Sequence, residues 1–355
     1  RAHPGPNALP GGWMDEGTIV VPWDQEVENM RAIVTERPGG PEVLRMGEIP
    51  DPAPGPDELL VRVRATALNR LDLMQREGTY PMPPGAPETL GVEMAGEVVG
   101  WGADVRGWAE GARICALLLG GGYAEYAAVP NGMAIPLPAN LSFEQGAALP
   151  EVFLTAYLNL FQLGDLREGG YALIHAGASG VGTAAIQLAR EAGASPIVTA
   201  GTAEKLAACR ELGAVAGFNY HEGPFAEAVL TATGGRGVDV VLDMVGAPYW
   251  NQNIACLTLG GRLILLAAQG GAKVEINLGA LQGKRARVIG SMLRPLPLAD
   301  KIALTTAFSA FALPRLTDGR LVPVIDRVYP LAEAAEAHRR MASNANIGKI
   351  VLAVP

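Results

Sequence analysis

Cysteine and histidine are scarce: three and four residues in a chain of 355. Cys115, Cys209 and Cys256 stand far apart. That spacing is no disulfide framework and points to a reducing, cytoplasmic setting. His3, His175, His221 and His338 are equally scattered. A zinc centre needs three or four Cys, His or carboxylate ligands arranged as a tetrahedron, and no such cluster can be read here. Apolar runs of membrane-spanning length are also missing. So is any block of one charge: the formal net charge is −8, with acidic and basic residues interspersed. That argues against a nucleic-acid surface and for an ordinary soluble protein. What the chain does have is length for about two domains and, at 49% hydrophobic residues, enough apolar side chain for a large core. Residues 1–29 are rich in Pro and Gly without periodicity, so a flexible extension is expected. They lack the basic-then-apolar pattern of a secretory signal.

The informative stretch is Tyr171 to Gly193, YALIHAGASGVGTAAIQLAREAG. A short apolar strand, a glycine-rich turn and an amphipathic helix follow one another, which is the geometry that binds a dinucleotide pyrophosphate. Gly177 is expected to make the sharp turn, Gly180 to take a backbone angle other residues avoid, and Gly182 to let helix and strand pack closely. Ser179 stands where the strict motif has its middle glycine, and its hydroxyl can donate to phosphate. The N–H groups of Gly180, Val181 and Gly182 would face the pyrophosphate at the positive end of the helix dipole. An ordinary strand-to-helix turn would look the same in isolation, so the context decides.

Before this stretch the chain reads as short strands. ELLVRVRA, residues 58–65, alternates apolar and charged positions, and strands at 93–99, 112–117 and 123–129 follow. Such spacing suggests a partly open antiparallel barrel. Ser142 with Gln145 forms a capping box for a helix over 143–149, and a second helix spans 152–163. From Tyr171 strands and helices alternate, implying a parallel sheet covered on both faces. Strands fall at 196–200, 216–220, 238–245, 262–268 and 287–292. Helices fall at 202–212, 224–231, 249–257 and 298–313. Strand texture at 324–328 and 349–354 returns the chain to the barrel half. The expected division is 30–152 with 315–355 for the barrel-like domain and 153–314 for the nucleotide domain.

The second nucleotide strand ends Thr199, Ala200, Gly201, Thr202. NAD-specific domains place a carboxylate there to bind the ribose 2′-hydroxyl. None is present, so a 2′-phosphate would not be repelled, and NADPH is the expected cofactor. Gly201 and Thr202 offer backbone and hydroxyl donors at that point.

Over nearly the whole chain from Met30 the sequence resembles the zinc-independent quinone oxidoreductases of the medium-chain dehydrogenase/reductase superfamily, most of all the tumour-suppressor-inducible NADPH quinone oxidoreductase group. The resemblance is carried by ALNRLDLMQREGTYPMPPGAPETLGVEMAGEV, ALLLGGGYAEYAAVP, ALPEVFLTAY, LIHAGASGVGTAAIQLA, VTAG, GFNY and NIGKIVL. It implies an α/β protein: a barrel-like (GroES-like) catalytic domain plus a doubly wound Rossmann domain, with NADPH in the cleft between. It places Tyr80 beside the cofactor, Lys205 and Tyr220 on the 2′-phosphate, and Asn346 of the terminal motif at the cofactor. Val92 stands where related zinc enzymes carry a histidine, and Asn69 near where they carry a cysteine. Both zinc sites of those relatives are therefore expected to be missing.

Without a Lewis acid, a simple ketone is weakly polarised. Quinones and activated enones need less help, and protein catalysis then rests on positioning and electrostatics. Tyr80 could donate to a substrate oxygen or shield the nicotinamide. Asn69 and Asp72 sit just after a strand, where they line the same cleft or stabilise the turn. Thr155 lies beside the expected nicotinamide or bonds its own backbone. His175 reads as a structural histidine. An enoyl-thioester reductase on the same scaffold and a non-catalytic NADPH-binding redox sensor are the alternatives. The apolar run RVIGSML, residues 287–293, lacks the charges that protect an edge strand, so a homodimer paired along it is expected.

Overall fold

Alternating side chains organise the first sheet. β1 (Asn29–Val34) and β2 (Arg45–Pro50) form an antiparallel hairpin. β3 (Glu58–Ala67), β4 (Glu93–Trp101), β5 (Arg113–Leu117), β6 (Tyr126–Pro130) and β7 (Ala134–Pro136) follow. This computed structural model describes residues 28–80 and 82–355, so the expected extension lies, up to residue 27, outside the described residues. β3 buries Val61, Val63 and Ala65 and leaves Arg62 exposed. It pairs β4 along one edge. Along the other edge it pairs β6 through Glu58–Arg62. Its far end, Ala65–Ala67, pairs with β15 (Lys349–Ala353). One strand with three partners curls the sheet towards the open barrel expected from the strand spacing.

Helix α1 (Arg70–Arg76) leaves β3; α2 (Phe143–Ala147) and α3 (Pro150–Tyr157) lead out of the barrel half. The Ser142–Gln145 capping box is present. The single helix expected over 152–163 is instead α3 followed by a π-helical turn at Leu158–Leu163. Asn159 sits in that wider turn and donates to the Thr155 carbonyl at 2.7 Å.

The second sheet is parallel, built from β8 (Tyr171–Ile174), β9 (Ser195–Ala200), β10 (Ala216–Asn219), β11 (Val238–Asp243), β12 (Leu257–Leu265) and β13 (Arg287–Gly290). Their order is β10-β9-β8-β11-β12-β13. This is the doubly wound arrangement, with its order reversing at β8, where such sheets bind ligands. The covering helices include α4 (Gly180–Glu191), α5 (Ala203–Glu211), α6 (Ala226–Ala232), α7 (Trp250–Cys256) and α8 (Leu278–Lys284). β12 starts at Leu257, five residues before the expected Arg262, because Leu257 already pairs with Val238 ahead of a bulge.

Helix α9 (Leu298–Thr317) runs past Pro314, where a stop was expected, and buries Leu316 completely. Proline removes one helical N–H, and packing of the last turn outweighs that loss. β14 (Ile325–Pro330) and α10 (Ala334–Ala342) then precede β15. β14 and β15 rejoin the first sheet in the order β14-β15-β3-β4-β5-β7. The residue ahead of β15 links the two halves: Gly348 bridges to Ser179 at the glycine turn.

Candidate active site

The glycine turn is tight for reasons of space. Ser179 caps α4, its Oγ accepting the Gly182 N–H at 3.1 Å. A β-carbon at Gly182 would overlap the carbonyl oxygens of Ala176 and Gly177. At Gly177 it would lie 2.7 Å from Val198 Cβ, and at Gly180 2.7 Å from Lys349 Cδ. The left-handed residue of the turn is Ala176, at φ 49°. This corrects the expectation for Gly180: like Gly177, it takes no positive φ, and a side chain at either would not fit. Val181 packs on the core, leaving its N–H in the first turn of the helix. The free N–H groups of that turn and the side-chain-free surface suit a dinucleotide phosphate.

At the end of β9, Thr202 caps α5 and accepts the Lys205 N–H at 3.2 Å. The Tyr220 hydroxyl lies over Gly201 closely enough to meet a β-carbon there, with His221 Nε2 3.4 Å from the same point. Lys205 Nζ donates to the Asn344 carbonyl at 2.5 Å. Burial first, and then the Arg340 guanidinium, hold the Lys205 ammonium below its usual range. Arg340 was invisible to sequence reasoning because it lies on α10, over a hundred residues away. It is held in a bidentate pair with Asp326, both contacts 3.0 Å. Gly201 and Tyr220 thus meet at the end of β9 beside the Thr202 cap of α5, and Lys205 and Arg340 lie within electrostatic reach of each other, with Asp326 and Glu204 near them. Two cations at this corner, with no carboxylate among residues 199–202, suit a phosphate.

Asn346 Nδ2 donates to the Gly348 carbonyl at 2.8 Å, and the Gly348 N–H donates to Ala178 at 2.8 Å. The terminal motif therefore abuts the glycine turn. Thr155 lies partly exposed on α3.

Tyr80 is half-buried, and the Arg294 guanidinium lies 5.3 Å from its ring centroid. Burial raises its phenol above the usual range. Arg294 is itself buried, donating to the Leu119 carbonyl at 2.7 and 3.1 Å and to Gln75 Oε1 at 3.1 Å.

Asn69 and Asp72 form a capping box at the start of α1. Both ends of the Asn69 amide are engaged. Its Oδ1 accepts from Lys349 Nζ at 2.6 Å, and its Nδ2 donates to Glu93 Oε1 at 2.7 Å. Asp72 has no exposed surface. It accepts from the Asn69 N–H at 2.7 Å and from the Tyr123 hydroxyl at 3.4 Å, and burial pushes its carboxyl up to about 6. Of the three residues singled out for chemistry, Tyr80 alone keeps a free face, while Asn69 and Asp72 form the layer beneath.

Below Asn69, Lys349 Nζ donates to Glu93 Oε1 at 2.7 Å and to the Leu68 carbonyl at 2.5 Å. The Lys349 ammonium thus already engages the side-chain oxygens of Asn69 and Glu93. Among the described residues no group of three His, Cys, Asp or Glu side chains could hold a metal. His175, beyond the end of β8, is fully buried between Thr199 Oγ1 at 2.8 Å and Asn253 Oδ1 at 2.7 Å. Burial lowers its imidazole to about 4, as expected of a structural histidine.

Comparison with known proteins agrees with this architecture. Residues 55–139 match the alcohol dehydrogenase GroES-like domain family, and residues 180–305 match the zinc-binding dehydrogenase family. A quinone oxidoreductase of Pseudomonas aeruginosa is 36% identical over 322 residues, covering 88% of this chain and 96% of that protein. The quinone oxidoreductase of Escherichia coli, solved in complex with NADPH, is 32% identical with a TM-score of 0.80, over 92% and 98% of the two chains. A protein described as an NAD-dependent alcohol dehydrogenase is 34% identical with a TM-score of 0.82, over 92% and 100%. With this fold and these relatives, the chain belongs to the quinone oxidoreductase family of the medium-chain dehydrogenase/reductase superfamily.

Proposed function

We propose that this protein reduces an electron-poor carbonyl acceptor, a quinone or an activated enone, with NADPH and without zinc. The observation that carries the reading is the Lys349 ammonium inside the Asn69–Glu93 pair. A divalent cation there would meet a fixed positive charge and an amide already turned to serve it. With no Lewis acid, the acceptor must be reducible without one. The dinucleotide supplies hydride from its nicotinamide. The chain's own part is to hold and orient: the α4 N-terminus for the pyrophosphate, and Gly201, Thr202, Lys205, Tyr220 and Arg340 for the 2′-phosphate. Tyr80, fixed by Arg294, forms the face towards the acceptor. The division of labour we infer assigns 30–152 with 315–355 to the acceptor side and 153–314 to the dinucleotide side.

The preference for NADPH rests on this chain's own residues, since its structural neighbours include proteins described with either cofactor. Two further parts belong to the same proposal. The buried, unpaired Cys115, Cys209 and Cys256 suit a reducing, cytoplasmic setting. Exposed apolar side chains around β13 suit a homodimer.

The test is NADPH oxidation with a benzoquinone after exhaustive chelation. Retained turnover supports the reading. Loss of rate restored by zinc would overturn the metal-free part. NADPH binding with no turnover on any quinone or enone would leave a non-catalytic sensor.

A further inference from the structure

Glu151 lies in the first turn of α3, directly after Pro150. Its backbone N–H donates to Glu93 Oε2 at 2.8 Å, which seats it above the Lys349 network. Its Oε2 is closed off from solvent and has no hydrogen-bond partner among the described residues, although the residue retains some exposed surface. An ionised oxygen without donors, away from water, is costly, whereas a neutral carboxyl is far less so.

The next residue, Val152, packs on the glycine turn: its Cγ1 lies 2.9 Å from where a Gly180 β-carbon would be. The helix turn that carries Glu151 therefore packs on the dinucleotide cradle on one side. On the other, Arg294 and Tyr80 lie within electrostatic reach of Glu151. The charged groups facing it are Glu93 of β4, Asp72 of α1, Lys349 of β15 and Arg294, with Lys301 of α9 near enough to feel its charge. Lys349 is committed to Leu68, Asn69 and Glu93, and Arg294 to Leu119 and Gln75. No lysine or arginine among the described residues forms an ion pair with Glu151. Burial, then the neighbouring Glu93 carboxylate, raise the Glu151 carboxyl to about 8.

We propose that Glu151 is the proton donor of the reaction, delivering its proton to the acceptor oxygen that becomes anionic on hydride transfer. This rests on the quinone-reduction reading above. A quinone takes up one hydride and one proton to become a hydroquinone. The hydride, with its two electrons, comes from NADPH, which is oxidised to NADP⁺. The Glu151 O–H bond breaks as an O–H bond forms on the acceptor, and a solvent proton restores the carboxyl. A carboxyl raised by burial, on a helix turn packed on the cradle and within electrostatic reach of Tyr80, suits general-acid work.

Glu151→Gln keeps the size and removes the proton. With quinones whose hydroquinones are weak acids, kcat/KM should fall by about 100-fold. NADPH affinity should be unchanged. The penalty should shrink along a series of quinones with increasingly acidic hydroquinones, and Glu151→Asp should recover part of the rate. Wild-type activity should decline above about pH 8, a limb absent from E151Q. The infrared difference spectrum of the cofactor-free proteins at pH 7 should contain a protonated-carboxyl band from the wild type. Wild-type rate and pH profile in E151Q, a penalty uniform across the series, or a carboxylate band instead would overturn the proposal and leave quinone reduction standing. A wild-type protein that reduces no quinone would overturn both.

Discussion

The Lys349 ammonium and the Glu93 carboxylate lie 2.7 Å apart with 3% and 0% of their side chains exposed. Removing one partner of such a pair leaves an uncompensated buried charge. Lys349→Met should therefore lower stability by about 3–5 kcal/mol, read as a shift in urea midpoint. Glu93 would keep only the Asn69 amide and the Glu151 N–H. The double variant Lys349→Met/Glu93→Leu should recover much of the loss. A single variant as stable as the wild type would contradict the burial of this pair.

Cofactor choice should hinge on Lys205. A hydrogen bond to a charged group contributes about 1.5–3 kcal/mol. Lys205→Ala should thus weaken NADPH roughly tenfold to a hundredfold and leave NADH nearly unchanged. Equal losses for both would mean that the lysine does not read the 2′-phosphate. Gly201→Asp should move preference towards NADH, but its side chain would first displace the Tyr220 hydroxyl. Tyr220 is 42% exposed and has room to swing. Fluorescence titration with each cofactor measures both effects.

Acid should act through His338. It is fully buried, with Arg76 Nη1 3.1 Å from Nδ1 and the Tyr123 hydroxyl 3.2 Å from Nε2. Burial, then Arg76, lower its imidazole from 6.5 to about 3. The unfolded chain therefore binds the extra proton between those values and the folded chain does not. Stability from this group is present above pH 6.5 and is lost as pH falls towards 3. From pH 7 to pH 5 the loss is about 2 kcal/mol. Asp72 and Glu151, whose carboxyls are raised, act in the opposite sense over this range, so the contrast with a variant isolates the histidine. The stability difference between wild type and His338→Gln should shrink by about 2 kcal/mol on that acidification. A constant difference would refute the buried neutral imidazole.

The proposed homodimer makes a prediction about β13. Val288 is 38% exposed on the edge strand β13, which ends at Gly290, short of the expected residue 292; Met292, two residues past that end, is 57% exposed. Val288→Lys/Met292→Lys should yield a folded monomer by sedimentation velocity, where the wild type sediments as a dimer. A wild type that is monomeric at micromolar concentration would refute the edge pairing.

Much of the fold was legible because local patterns there coincide with tertiary need. Val61 to Ala65 alternates because the middle of β3 has one buried face, and the Ser142–Gln145 capping box is a contact within four residues. Boundaries were less legible where packing overrode a local signal. Pro314 reads as a helix stop, yet α9 continues so that Leu316 can be buried. Gly180 reads as a residue of unusual backbone angle and Gly177 as the residue of the sharp turn. The angle falls on Ala176, and the glycines answer to Val198 and Lys349.

By itself the sequence determined the strand, glycine turn, cap and helix from β8 to α4, since they are contiguous and their geometry is local. It also determined the missing carboxylate at Gly201–Thr202 and the shortage of metal ligands, which are matters of composition. Only the tertiary structure decided what surrounds them. Lys349 reaches Asn69 and Glu93 across 280 and 256 residues of chain, and Arg340 reaches the Lys205 corner from a C-terminal helix. Burial, then the neighbouring Glu93, raises the Glu151 carboxyl. Charge, burial and repulsion depend on distance through space, and the return of β15 to β3 sets those distances.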